Sequence, residues 1–192
     1  MKNTSRRSFV RNLGLGISST AILPTLTSFE ILSEKNIKVE GEKKLNVALC
    51  GLGRYANILA TGLMESKYCN LSGIITGTPE KALQWKSKFN IPEKNIYNYD
   101  DFDKIRYNKD IDLVYVVLPN SMHKEYTIRA ANAGKHVIVE KPMAFTVQDC
   151  KEMIDTCANA GVQLAVGYRL HYEPHHIEIR RLGQEKVLGQ IR

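Results

Sequence analysis

Five short apolar runs constrain the fold of this chain more than any other feature of its sequence. "LNVALC", "CNLSGIIT", "DLVYVVLP", "KHVIVE" and "VQLAVG" are rich in β-branched residues and show little polar alternation. Such runs suit strands covered on both faces. Segments with helical spacing lie between them. In "TVQDCKEMIDTCANAG", Val147, Cys150, Ile154 and Cys157 recur at helical intervals, Thr146 and Asp149 form a capping-box pattern, and Gly161 stops the helix. Another helix is expected from about Met122 to Ala133, ended by Gly134. Strand and helix in alternation imply parallel strands joined by right-handed crossovers. The expected fold class is therefore α/β, a doubly wound parallel sheet whose ligands gather at the carboxyl ends of its strands.

The first of those strand ends reads "VALCGLGRYA". Gly51 and Gly53 follow the strand directly, Ala56 takes the third place of G-x-G-x-x-G/A, and the helix "YANILATGLMES" begins there. Glycines in this arrangement let the backbone turn tightly and approach a pyrophosphate, which then sits on the helix N-terminus. With the strand before it and the helix after it, a Rossmann dinucleotide site is expected; the plain alternative is a βα turn without a ligand. No G-K-[ST] follows at the spacing a P-loop needs.

The second strand end is "GIITGTPEK". An NAD-selective site places an Asp or Glu at this tip to hold the ribose 2′-hydroxyl. Here the tip is Thr76, Gly77 and Thr78, with Lys81 one turn further on. Hydroxyls and a cation suit a 2′-phosphate better, so NADP is expected and NAD less so; the plain alternative is a loop with a surface lysine. The third end, "LPNSMH", brings Pro119, Asn120 and His123 to the same edge, where Asn120 either caps the next helix or meets the cofactor.

The fourth end is "HVIVEKP". Glu140 and Lys141 would point into the crevice, while Pro142 fixes φ and removes a ladder donor. A lysine held among apolar walls has a lowered pKa and can exchange a proton with a substrate hydroxyl while hydride passes to or from a nicotinamide. A surface lysine at a strand end is the alternative.

Composition excludes other classes. With 192 residues and 43% apolar content, the chain supports one domain and part of a second. Its formal charge is +7, of which Lys2, Arg6, Arg7 and Arg11 carry four, leaving +3 beyond residue 29. Those remaining basic residues are interleaved with acids, which argues against nucleic acid as a partner. Residues 1–29 resemble a twin-arginine export signal, with adjacent Arg6 and Arg7 ahead of a modestly apolar segment; an exported or periplasmic protein without stable membrane insertion is expected. Residues 30–43 are expected to form a polar arm or linker, 44–167 the dinucleotide-binding domain, and 168–192 the start of a truncated α+β substrate domain.

Two side-chain sets are read conservatively. Cys50, Cys69, Cys150 and Cys157 contain no C-x-x-C pair, and on one helix Cys150 and Cys157 would stand roughly 10 Å apart, beyond disulfide reach, so free thiols are expected. "HYEPHH" gathers His171, Glu173, His175 and His176, but without H-E-x-x-H order; no metal site is expected.

Taken together, "GLGRYA", "SGIITGTPEK", "VYVVLPNSMH", "AGKHVIVEKPMA" and "GYRLHYEP" resemble the glucose-fructose oxidoreductase, inositol dehydrogenase and MocA family, most closely its periplasmic glucose-fructose oxidoreductases, over residues 44 to 192. The resemblance implies a nicotinamide-dependent sugar or polyol oxidoreductase. Gly51, Gly53, Arg54, Tyr55 and Ala56 would hold the pyrophosphate, Thr76 and Lys81 the 2′-phosphate, and Tyr99 would lie near the adenine. Pro119, Asn120, His123 and Glu140 would line the nicotinamide side, Lys141 would be the catalytic-site lysine, Arg169 would touch the cofactor, and Tyr168 or Tyr172 would face the sugar. It also implies a following β domain that completes the substrate pocket, and a homo-oligomer in which the arm reaches a neighbouring subunit. Two alternatives remain: a nicotinamide-dependent glycosidase of the same superfamily, whose members tend to lack that lysine, and a non-catalytic nucleotide-binding module.

Overall fold

The computed structural model describes residues 44–187 and Gly189. Residues 1–43, where an export signal and an arm are expected, lie outside the described residues. Six strands form one parallel sheet: β1 (Leu45–Cys50), β2 (Cys69–Ile75), β3 (Ile96–Tyr97), β4 (Leu113–Val116), β5 (His136–Val139) and β6 (Leu164–Val166). Their spatial order is β3-β2-β1-β4-β5-β6. The order reverses between β1 and β4, which opens a crevice at that point.

Among the described residues, five α-helices accompany the strands: α1 (Arg54–Glu65), α2 (Pro79–Phe89), α3 (Asn120–Asn132), α4 (Val147–Asn159) and α5 (Pro174–Gln184). Thr146 caps α4 as its spacing predicts, its hydroxyl accepting the Asp149 N–H at 3.0 Å. No described helix is long and apolar enough to cross a membrane.

The central strand β1 shows why the runs lack alternation. Ala48 and Cys50 pack with Val114, Val116, Val137 and Val139 in one core, while Leu49 packs with Ala56, Ala60, Ile74 and Trp85 in the other. Alternate residues of a strand point to opposite faces, so both sets must be apolar. Each fully buried aliphatic side chain contributes about 1.5–3 kcal/mol. β6 departs from this pattern: Ala165 and Val166 are exposed, and among the described residues β6 pairs on one side only, with β5. The sheet also holds a strand that its sequence scarcely announces, since β3 is two residues long and framed by 3₁₀ turns at Glu93–Asn95 and Phe102–Tyr107.

Register is what positions the site. Cys50 lies level with Ile75 and Val116, Val116 with Val139, and Val139 with Val166. The ladder then continues one residue further. Gly51 N–H donates to Ile75 O, Val117 N–H to Cys50 O, Glu140 N–H to Val116 O, and Gly167 N–H to Val139 O, at 2.8 to 3.0 Å. Gly51, Thr76, Val117, Glu140 and Gly167 therefore form one row along the carboxyl rim of the sheet.

Candidate active site

At the reversal point a cleft of about 420 Å³ is lined by Gly51, Leu52, Gly53, Thr76, Gly77, Thr78, Lys81, Tyr99, Val117, Leu118 and Pro119. Gly51 has φ +99°, and a Cβ there would lie 2.6 Å from the Val117 carbonyl oxygen, so only glycine makes this turn. Gly53 is the N-cap of α1, with no side-chain cap and no acidic residue in the first turn. The uncapped amides and the positive end of the helix form a donor set that fits a pyrophosphate. Nothing lies within 4 Å of a Cβ placed on Gly53, so its backbone is open to close approach.

At the third position of the motif, Ala56 is fully buried in the core with Leu49 and Ala60, so its side chain faces the sheet and only its backbone amide is left to meet a ligand. Its small side chain brings α1 close to β1, which is packing and not recognition. Arg54 is exposed at the first position of α1.

At the β2 tip, Thr76 is buried and its hydroxyl accepts the Thr78 N–H at 3.2 Å, which folds the tip back on itself. Thr78 is the N-cap residue of α2, where its side chain makes no capping bond. Lys81 is exposed on the first turn of that helix, beside Glu80. Tyr99 closes this side of the cleft, its ring 5.3 Å from that of Tyr126, and burial pushes its phenol up to about 12.

The third strand end corrects two expectations. Asn120 does not cap α3: Pro119 occupies the cap position and Asn120 is the first helical residue, exposed at the rim. His123 does not line the cleft, because it is fully buried. Its Nδ1 lies 2.9 Å from Pro142 O and its Nε2 2.9 Å from Leu118 O, so the ring joins the loops that follow β4 and β5. An imidazole drawn inward by two carbonyls cannot also face a nicotinamide.

A second cavity, of about 270 Å³, is lined by Tyr55, Glu140, Lys141, Gly167 and Arg169. Lys141 is exposed here, not enclosed by apolar walls as its sequence context suggested, and its neighbours are polar. Glu140 is 8% exposed and accepts two hydrogen bonds, from Tyr115 Oη to Oε1 at 2.7 Å and from Lys141 N–H to Oε2 at 3.2 Å. Burial raises the Tyr55 phenol, Glu140 raises it further, and Arg169 opposes both. Burial, then the bond to Glu140, carries the Tyr115 phenol well above its ordinary range. Tyr168 and Tyr172 stand outside this cavity; Tyr172 is 83% exposed, and His171 stacks edge-on between the two rings.

The remaining side chains settle into structural roles. Glu173 caps α5 and holds both His175 and His176, at 2.5 and 2.6 Å. Those contacts draw its carboxyl down to about 2. The four cysteines are free, with Cys50 and Cys157 buried. Tyr115 is the residue that sequence reasoning missed, although a phenol in a strand of aliphatics signals a polar tip that needs a partner.

Comparison with known proteins gives these features a family. The aldose-aldose oxidoreductase of Caulobacter crescentus, solved with glycerol, is 45% identical with a TM-score of 0.76, over 78% of this chain and 45% of that one. The scyllo-inositol dehydrogenase of Lactobacillus casei, solved with NAD(H) and scyllo-inositol, is 25% identical with a TM-score of 0.69, over 78% of this chain and 43% of that one. D-xylose 1-dehydrogenase [NADP(+)] of Haloarcula marismortui is 26% identical over 150 residues, which is 78% of this chain and 41% of the relative. This chain therefore spans less than half the length of each. Residues 45–168 match the model of the oxidoreductase family with an NAD-binding Rossmann fold, and the chain belongs to that GFO/IDH/MocA family.

Proposed function

We propose that this chain is the nucleotide-binding half of an NADP-dependent oxidoreductase that moves hydride between the nicotinamide and a sugar or polyol, after export by the twin-arginine route. The observation that carries the reading is the rim row, which sets the glycine turn and the Glu140–Lys141 corner on one edge of one sheet. The cofactor, when bound, supplies the hydride carrier. The chain's own residues then have separable tasks. Gly51, Gly53 and the α1 amides bind the pyrophosphate, Tyr99 walls the adenosine side, and Lys141 Nζ exchanges a proton with the substrate oxygen. Arg169 and Glu140 set the charge around that amine.

NADP is favoured over NAD by the β2 tip, which carries Thr76, Thr78 and exposed Lys81 where a 2′-hydroxyl site would carry an acid. Glu80 opposes this from the exposed side of α2, where solvent screens it. The relatives named above act on aldoses, inositol and xylose by their names, which supports a polyhydroxylated substrate. Lys141 stands against a glycosidase.

Fluorescence titration of NADPH and NADH tests the cofactor. Tighter NADPH binding is expected, with Lys81→Ala erasing about tenfold of the preference; tighter NADH binding overturns it. Sugar-dependent change in nicotinamide absorbance tests the reaction, and binding without turnover defines a nucleotide-binding module instead. For export, exchanging Arg6 and Arg7 for Lys is expected to retain the protein inside the cell, and unchanged export refutes that route.

A further inference from the structure

Tyr115 lies on β4 level with Ile138 of β5, which is level with Ala165 of β6. Strand side chains repeat every two residues, so Glu140 and Gly167, each two positions further on, fall on the face that Tyr115 occupies. The contacts agree. Tyr115 Oη donates to Glu140 Oε1 at 2.7 Å, and a Cβ added to Gly167 would lie 2.5 Å from Tyr115 Oη and 2.7 Å from Glu140 Oε1. The other carboxylate oxygen, Oε2, receives the backbone N–H of Lys141 at 3.2 Å.

A carboxylate this buried requires partners for its oxygens. It finds one on the neighbouring strand and one in the backbone that carries the lysine. Packing alone would be served equally by phenylalanine at 115, so the hydroxyl has a separate purpose. The side chains that share the cavity, Tyr55 and Arg169, make no hydrogen bond to Glu140 among the described residues. Tyr115 is thus the side-chain anchor of this carboxylate.

We infer that Tyr115 is a positioning residue: its hydroxyl fixes the Glu140 carboxylate, the carboxylate fixes the backbone of Lys141, and Gly167 leaves the space in which the pair meets. The functional meaning rests on the reading of Lys141 as the proton-transfer group. The geometric claim does not, and the two are separable by experiment.

The test uses the full chain, the variants Tyr115→Phe and Glu140→Ala, and the double variant. Amide hydrogen exchange at Lys141, followed by NMR without cofactor, is expected to accelerate about tenfold in each single variant, and the double variant to exchange no faster than Glu140→Ala. Exchange at Ala48 and Val114 is expected to stay unchanged, which separates the local effect from general loosening. Unchanged exchange at Lys141 in Tyr115→Phe, or additive effects in the double variant, overturns the inference whatever the kinetics. In kinetics, Tyr115→Phe is expected to hold the NADPH Kd within about twofold while kcat falls about tenfold and its pH profile moves. Accelerated exchange in the variants, found together with a wild-type chain that turns over no sugar, leaves the positioning intact and removes the reading of Lys141.

Discussion

The two ends of the candidate site are built on opposite plans. Around Gly51 and Gly53 recognition is backbone work: a turn that admits no Cβ and a helix N-terminus without a cap. Around Lys141 it is side-chain work, in which a phenol from β4 holds a carboxylate past β5 under a glycine past β6. The first plan is local in its donors, which lie within about six consecutive residues, although the Val117 carbonyl across the crevice enforces the bare Gly51. The second is non-local, and its parts lie 25 and 27 residues from Glu140, at Tyr115 and Gly167. A local device tolerates no change of backbone conformation, whereas a non-local one fails when register or side-chain length changes.

Substitution can break this contrast. The largest expected effect is on chemistry without stability: Lys141→Met is predicted to lower sugar-dependent kcat by about 100-fold or more while the denaturation midpoint stays put, since the side chain is exposed. Steady-state kinetics beside urea melts read both. Gly51→Ala is predicted to do the reverse of a chemical lesion, with about 2–3 kcal/mol lost from stability and nucleotide affinity down about 100-fold, because the Val117 carbonyl is backbone and cannot retreat. Calorimetric titration with NADPH checks the second figure. Gly167→Ala meets only side-chain ends, so a smaller loss of about 1–2 kcal/mol is predicted, with nucleotide affinity preserved. Equal damage from the two alanines would erase the distinction between the plans.

The smallest effect sharpens it through pH. The Tyr115 phenol stays neutral in the fold well beyond its ordinary range, while in the unfolded chain it ionises near 10. Its contribution is therefore complete below pH 10 and is lost as pH rises above it, because the unfolded state then binds fewer protons. Tyr99, raised to about 12, adds the same slope. Tyr115→Phe is predicted to flatten the decline in stability above pH 10 by up to one proton, measured by urea denaturation at stepped pH.

Legibility in the sequence followed the same division. The glycine turn, the Thr146 cap and five of the six strands could be read because each is written in neighbouring residues. β3 escaped because two residues carry no periodicity, and its pairing with β2 depends on tertiary contact. His123 was misplaced for a related reason: its position past β4 suggested the rim, but two carbonyls from separate loops turn it inward. The apolar enclosure expected for Lys141 failed because a strand end next to Pro142 says nothing about what stands opposite; that is decided by Tyr55, Glu140 and Arg169.

The placement of His123 has a mechanical consequence. A rigid aromatic ring spans from the Leu118 carbonyl, on the wall of the cleft, to the Pro142 carbonyl, one residue beyond the lysine. The strut leaves no slack between them. Through one ring the loop that lines the nucleotide cleft and the loop that carries the lysine share a single spacer, so a substitution at 123 would disturb both ends of the site together.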